Sequence, residues 1–248
     1  MTKILITGAN GQLGSELRNL LDERGIAYDA FDSKQMDITD QAVVNEKISA
    51  LKPEVIYHCA AYTAVDNAED VAKDLNWQVN ADGTRNVAEA AKRVGAKMVY
   101  ISTDYVFDGT NHTPYTEDEA TCPNSVYGST KLEGEKLAMA ACANTMIIRT
   151  AWLYSTFGNN FVKTMIRLGQ EKPELGVIFD QIGTPTYAGD LAAAIMAAIN
   201  NGIVPGIYHF SNEGVISWYD FTKAIHRIAG ITSCHVKPLH TTEYPTPA

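Results

Sequence analysis

The chain is poor in cysteine, with four in 248 residues at positions 59, 122, 142 and 234, no Cys-x-x-Cys and no paired spacing. That excludes a disulfide framework and a cysteine-based zinc site, and leaves inert or buried thiols as the reading. Positive charge is also scarce. Lys and Arg number 20 against 29 Asp and Glu, a formal net charge of −9, and such a balance does not support nonspecific nucleic-acid binding. An anionic small ligand stays open, because backbone amides and single basic residues can hold phosphates inside an acidic protein. Long hydrophobic runs are missing too. The longest helical one, residues 191–199, is far too short to span a bilayer, so no membrane partner is expected. One short apolar strand followed at once by glycines does not read as a signal peptide, and the expected setting is the cytoplasm. What remains is ordinary for a soluble globule: 46% hydrophobic and 20% charged residues, on a length that suits one large domain or a domain with a smaller lobe.

The first half alternates strand-like and helix-like segments. Residues 3–7, 27–32, 54–61, 97–103 and 145–154 read as strands. Leu13, Leu17, Leu20 and Leu21 fall at helical spacing before Gly25, residues 40–51 suit a helix capped by Thr39, and residues 125–141 suit another. Residues 68–94 predict one long helix closed by Gly95 and weakened in its middle by Gly83. Such alternation builds a parallel sheet with right-handed crossovers and helices on both faces. Beyond Tyr154 the pattern loosens into helices at 160–169, 189–200 and 218–229 and strands at 176–180 and 207–210. The expectation is therefore an α/β, Rossmann-like doubly wound sheet. Residues 1–154 form the dinucleotide-binding domain, with later elements returning to it, and residues 155–248 form mainly a small C-terminal substrate-binding lobe.

The first strand runs into Thr7-Gly-Ala-Asn-Gly-Gln-Leu-Gly14. Gly8, Gly11 and Gly14 leave backbone free to turn tightly and approach a pyrophosphate, and the following helix offers free amides and its positive end. A tight strand–helix connection without ligand is the plainer alternative. Asp32, ending the second strand, either grips ribose hydroxyls, which favours NAD over NADP, or is a turn residue; Lys34 nearby offsets the first reading. Asp37 and Ile38 either flank adenine or signal a helix start. Ala61, Tyr62 and Thr63 end the third strand at the sheet edge where ligands bind in open α/β folds.

Thr103 ends the fourth strand, and Tyr127 and Lys131 lie four apart in Tyr-Gly-Ser-Thr-Lys. Carbonyl reduction needs hydride from a nicotinamide, a proton for the developing alkoxide, and a group to polarise the oxygen. A lysine one turn beyond a tyrosine favours the phenolate and lowers a phenol pKa of about 10. Lys131 also reaches for ribose, and Thr103 can donate to the carbonyl oxygen. Singly, each has a plain structural alternative: a core-capping tyrosine, a solvated lysine, a strand terminus. Asp104 and Tyr105 are secondary candidates for substrate hydroxyls. Trp152 either stacks on a sugar ring or is a buried structural indole.

With these segments in order, the chain resembles the extended short-chain dehydrogenase/reductase superfamily and, within it, the dTDP-4-dehydrorhamnose reductase family. Beyond the glycine turn, the resemblance rests on Met-Asp-Ile-Thr-Asp40, Ala-Ala-Tyr-Thr-Ala-Val-Asp66, Ser-Thr-Asp-Tyr-Val-Phe-Asp-Gly109, Ser-Val-Tyr-Gly-Ser-Thr-Lys131, Gly-Asn-Asn-Phe-Val-Lys-Thr-Met165, Asp-Gln-Ile-Gly-Thr-Pro185 and Thr-Glu-Tyr-Pro-Thr-Pro247. It implies reduction of the C4 ketone of a nucleotide-sugar substrate, dTDP-4-dehydro-L-rhamnose, with NADPH or NADH. Thr103, Tyr127 and Lys131 take the catalytic roles, while Gly8, Asn10, Gly11, Gln12, Leu13, Asp37, Ile38 and Ala61 to Thr63 line the cofactor. Some relatives bind Mg2+ at a homodimer interface, and no residues for it are identified in this sequence. Two alternatives stay open: a sister reductase of another nucleotide-linked 4-keto sugar, and a regulatory subunit like that of methionine adenosyltransferase, against which the retained Thr/Tyr/Lys set speaks.

Overall fold

Short strands buried on both faces build the centre of the molecule, whose computed structural model describes residues 3–247. In chain order its elements are β1 (Ile4–Thr7), α1 (Gln12–Glu23), β2 (Tyr28–Phe31), α2 (Gln41–Leu51), β3 (Val55–His58), α3 (Val65–Ala68), α4 (Lys73–Trp77), α5 (Thr84–Val94), β4 (Lys97–Thr103), α6 (Val126–Ala141) and β5 (Thr145–Thr150). There follow β6 (Leu153–Tyr154), α7 (Phe161–Glu171), β7 (Glu174–Ile178), β8 (Ile182–Gly183), β9 (Thr186–Tyr187), α8 (Ala188–Asn200), β10 (Gly206–His209), β11 (Ile216–Ser217), α9 (Trp218–Ile228) and β12 (His235–Leu239).

Six strands form one sheet in the order β10-β5-β4-β3-β1-β2, and every pairing in it is parallel. Successive strand residues face opposite layers. Leu5, Ile56, Met98, Tyr100 and Ile147 meet α2, α5 and α6 through Val44, Ile48, Val87, Ala91 and Ala138. Ile6, Tyr57, Val99 and Ile148 meet α1 and α8 through Leu13, Leu17, Leu21, Leu191 and Ile195. Both faces are covered, which parallel sheets require. Strand order reverses between β1 and β3, so the carboxyl ends of these strands open a crevice there. A separate small core of Met165, Leu175, Val177, Ile225 and Val236 joins α7, α9 and the parallel pair β7 and β12.

Three expectations are corrected. The cap of α2 is Asp40, whose side chain accepts from the amides of Ala42 and Val43; the Thr39 hydroxyl is occupied in donating to Asp37. The long helix over 68–94 is broken. Residues 69–72 leave the helical path, where the Glu69 carboxylate accepts the Val126 amide at 2.6 Å. Residues Gln78–Gly83 then widen into a π-turn. That widening turns Asn80 towards the segment after β3, where it exchanges two hydrogen bonds with the Tyr62 backbone at 2.8 and 3.1 Å. Such single-turn bulges recur at functional sites. Finally, the fifth strand ends at Thr150. Trp152 takes a positive φ of 45°, a costly conformation for a bulky residue, and the chain leaves the sheet so that β6 pairs with β9.

Candidate active site

Gly8 lies just beyond β1 with φ of +67°, and a Cβ there would sit 2.6 Å from the Ala60 amide nitrogen. A Cβ on Gly14 would overlap the Gly8 carbonyl oxygen. These two glycines are demanded by the turn itself. Gly11 differs: its φ is −74°, and a Cβ would meet only the Gly8 carbonyl, at 3.3 Å. Gly11 precedes α1, which has no side-chain cap and no acid in its first turn. The amides of Gln12 and Leu13 are thus left to an anion from outside. That arrangement fits the pyrophosphate of a dinucleotide.

Asn10 is held in place by donation to Asp32 at 2.8 Å and by accepting from Arg18 at 3.1 Å. Asp32 has the geometry of its turn reading: one oxygen receives the amides of Lys34 and Gln35, closing a turn, while the other receives Asn10. Asp37 accepts the amide and hydroxyl of Thr39 in a turn that ends at Asp40, the cap of α2. Ile38 is buried in the core, under the position where a Gly83 side chain would stand. Ala61 and Tyr62 are half-buried and Thr63 exposed, on the segment fastened by Asn80.

Thr103, Asp104, Tyr105 and Tyr127 come together at the end of β4. The Thr103 hydroxyl donates to Asp104 at 3.1 Å and accepts the Tyr105 amide at 3.2 Å. The Tyr105 ring stands edge-on to Tyr127 with centroids 5.5 Å apart. Ser125 starts α6 by accepting the Gly128 amide at 3.0 Å, which sets Tyr127 in the first turn. Lys131, one turn further, is almost fully buried. Its ammonium donates to the Ile101 carbonyl at 2.6 Å and lies 4.2 Å from the centroid of the Tyr100 ring.

The electrostatics correct one expectation. The Tyr127 phenol is raised above its ordinary range, first by burial and then by the negative charge of Asp104, with the neighbouring Thr103 hydroxyl acting the other way. Lys131 does not bring it down. The ammonium is turned to the backbone of β4, and burial lowers it to about 7, opposed by Glu135 and Cys59. Burial likewise pushes the Asp104 carboxyl up to about 6. Near neutral pH the site therefore presents a protonated phenol beside a hydroxyl and a carboxyl: a proton donor with hydrogen-bonding partners for a polar oxygen.

Trp152 lies outside that group. Its indole stacks on Trp218 with centroids 3.5 Å apart and planes 13° apart, and Phe161 abuts Trp218 in turn. Two contacts between distant segments carry no local sequence signal. The Ser155 hydroxyl donates to the buried Glu16 at 2.6 Å, and Asn160 donates to Gln12 at 3.0 Å, so the chain after β6 is bolted to the first helix beside the glycine turn. Among the described residues, no group of three or more His, Cys, Asp and Glu could hold a metal ion.

The sequence matches the family described as the RmlD substrate binding domain over residues 1–248. The chain belongs to that family. A dTDP-4-dehydrorhamnose reductase of Aggregatibacter actinomycetemcomitans is 44% identical over 91% of this chain and 78% of its own. A crystal structure of a dTDP-4-dehydrorhamnose reductase from Clostridium acetobutylicum superposes with a TM-score of 0.96 at 47% identity, covering 100% of this chain and 87% of that one. The enzyme of the same name from Bacillus anthracis, solved in complex with NADP, gives 0.96 at 45% identity, covering 100% and 88%. Family membership thus agrees with the glycine turn and sheet order, and with a nicotinamide cofactor. Among the described residues, no helix is long and apolar enough to cross a membrane.

Proposed function

We propose that this chain reduces the C4 ketone of dTDP-4-dehydro-L-rhamnose to dTDP-L-rhamnose, with NADPH as the first choice of reductant and Tyr127 as proton donor. The observation that carries the reading is the protonated phenol of Tyr127 next to the Thr103 hydroxyl, at the same sheet edge as an uncapped helix start, in a chain of this family. The amides of Gln12 and Leu13 hold the pyrophosphate, with Gly11 leaving the backbone open to it. Asn10, Asp32, Asp37, Ile38 and Ala61 to Thr63 line the nucleoside end, and Lys131 reaches the nicotinamide ribose. The cofactor supplies a hydride to C4. Thr103 donates a hydrogen bond to the ketone oxygen, which is worth most as that oxygen gains charge. Tyr127 then gives its Oη proton to the forming alkoxide, and the phenolate left behind is reprotonated from solvent. Asp104 and Tyr105 orient the sugar hydroxyls, and Trp152 borders the sugar from the far side of β5. NADPH is preferred because a relative at 45% identity was solved with NADP. A homodimer and a cytoplasmic setting belong to the same proposal; light scattering tests the first.

The test is loss of reduced-nicotinamide absorbance across a panel of nucleotide-linked 4-keto sugars, with NADPH and NADH. Tyr127→Phe should lower turnover by roughly two to four orders of magnitude with cofactor affinity little changed, the scale of a positioned acid. A fall of less than about tenfold removes Tyr127 from that role.

A further inference from the structure

Beneath Lys131, α6 carries a second charged residue that the chemistry above does not use. Glu135 follows one turn later on the same helical face and is 2% exposed. One carboxylate oxygen accepts the Ser102 hydroxyl at 2.5 Å and Arg149 Nε at 2.9 Å; the other accepts Arg149 Nη2 at 2.7 Å. Ser102 immediately precedes Thr103 on β4, and Arg149 is its registered partner on β5. The Arg149 guanidinium lies over the Phe107 ring at 5.2 Å, and its Nη1 is buried without a partner. A buried ion pair is a poor source of stability: well-packed apolar side chains of the same volume do as well or better. Ala138 on α6 and Cys142 at its C-terminal cap are buried and apolar, so the fold has the apolar solution at hand and does not use it here.

We propose that Ser102, Glu135 and Arg149 form a positioning cluster for the catalytic centre: the cluster ties α6 to the strand that ends in Thr103 and places a carboxylate as counter-charge one turn below the Lys131 ammonium. The inference rests on the reading of Lys131 as a cofactor-holding cation. Lys131 is faced from β4 by the Ile101 carbonyl and the Tyr100 ring, from the end of β3 by His58 and the following Cys59, and from its own helix by Glu135, with Arg149 of β5 behind that carboxylate. Burial, then the charge of Lys131, pushes His58 down to about 3, and burial pushes the Cys59 thiol up to about 12. Both are neutral near pH 7, so the counter-charge falls to Glu135, the first of the groups opposing the effect of burial on Lys131.

Two variants of the full chain test this. Glu135→Gln/Arg149→Met removes the ion pair as a pair while leaving an acceptor for Ser102. Without the carboxylate, Lys131 loses its proton at lower pH. The basic side of the pH profile should move towards acid by about one unit, both in turnover and in NADPH affinity titrated without sugar. Superimposable profiles in the folded double variant overturn the counter-charge. Ser102→Ala cuts the tether and keeps the charges. It should lower kcat by roughly three- to tenfold, with the KM for NADPH within about twofold and the profile in place. Parental kcat in Ser102→Ala overturns the tether, and that variant alone decides if the double variant does not fold. An unsubstituted chain that turns over no 4-keto sugar sinks the proposed reaction and leaves the NADPH titration to judge the cluster.

Discussion

Replacing Lys131 by methionine should cost activity and yet make the cofactor-free protein more stable near neutral pH. The side chain is buried, and its ammonium is lowered from the usual 10.5 to about 7. The folded value lies below the unfolded one, so between these limits the unfolded chain binds more protons, and this group's contribution to stability rises with pH. At about pH 7 the charge burdens the fold by on the order of 4 kcal/mol; by about pH 10 the burden is below roughly 1 kcal/mol. Methionine has similar length and no charge, but it gives up the hydrogen bond to the Ile101 carbonyl, a loss of about 1–3 kcal/mol. The variant should therefore lead by about 2 kcal/mol at neutral pH and trail the parent at about pH 10. Urea denaturation of both proteins, free of cofactor and followed by circular dichroism at a series of pH values, reads the difference directly. A stability difference that stays flat across that range refutes the reasoning, because it would mean that Lys131 carries the same charge folded and unfolded. The variant should also bind NADPH more weakly, the counterpart of the stability it gains.

Gly11→Val should abolish most NADPH affinity in a protein that still folds, since its backbone is ordinary and the nearest obstacle is one carbonyl oxygen at 3.3 Å; calorimetric titration beside circular dichroism decides, and near-normal binding removes the phosphate cradle. Gly14→Ala should instead destabilise the fold itself by roughly 1–3 kcal/mol, because the added methyl overlaps the Gly8 carbonyl and overpacking at close contact costs that much; an unchanged denaturation midpoint contradicts it. Asp40→Ala should lose about 1 kcal/mol of stability through two orphaned amides at the start of α2, whereas Thr39→Val should lose less, and the reverse order would restore Thr39 as the cap.

Much of the sheet was legible because its signal is local. Residues 4–6, 55–57 and 146–148 are short apolar runs, and the glycine spacing after β1 states its turn geometry outright. The Tyr127/Lys131 pair was legible as a spacing on one helix face. What Lys131 does with its charge was not, since the Ile101 carbonyl and the Tyr100 ring reach it from a strand about thirty residues earlier and burial sets its ionisation. The break at Trp152 escaped for a similar reason: Thr145 to Tyr154 carries strand-forming residues throughout, and the stop comes from β9 and Trp218 capturing the chain from outside. The π-turn at Gln78–Gly83 is likewise held by Tyr62 and Thr130, and no periodicity within the helix announces it.

The sheet receives its last strand late. β10 lies against β5, and α8 covers the apolar side of α1, but both are made only after β6, α7 and the start of the small lobe. While the chain is being synthesised, the first five strands leave the ribosome with β5 as an open hydrogen-bonding edge and with Leu13, Leu17 and Leu21 uncovered on their outer side. At about 5–20 residues per second, the stretch from the end of β6 to the end of β10 takes roughly 3–10 s to appear. During that interval the nascent chain has the exposed strand edge and apolar face that favour pairing with other chains. Threading the lobe through the final crossover thus makes completion of the nucleotide-binding half wait until His209, the end of its last strand, has been made.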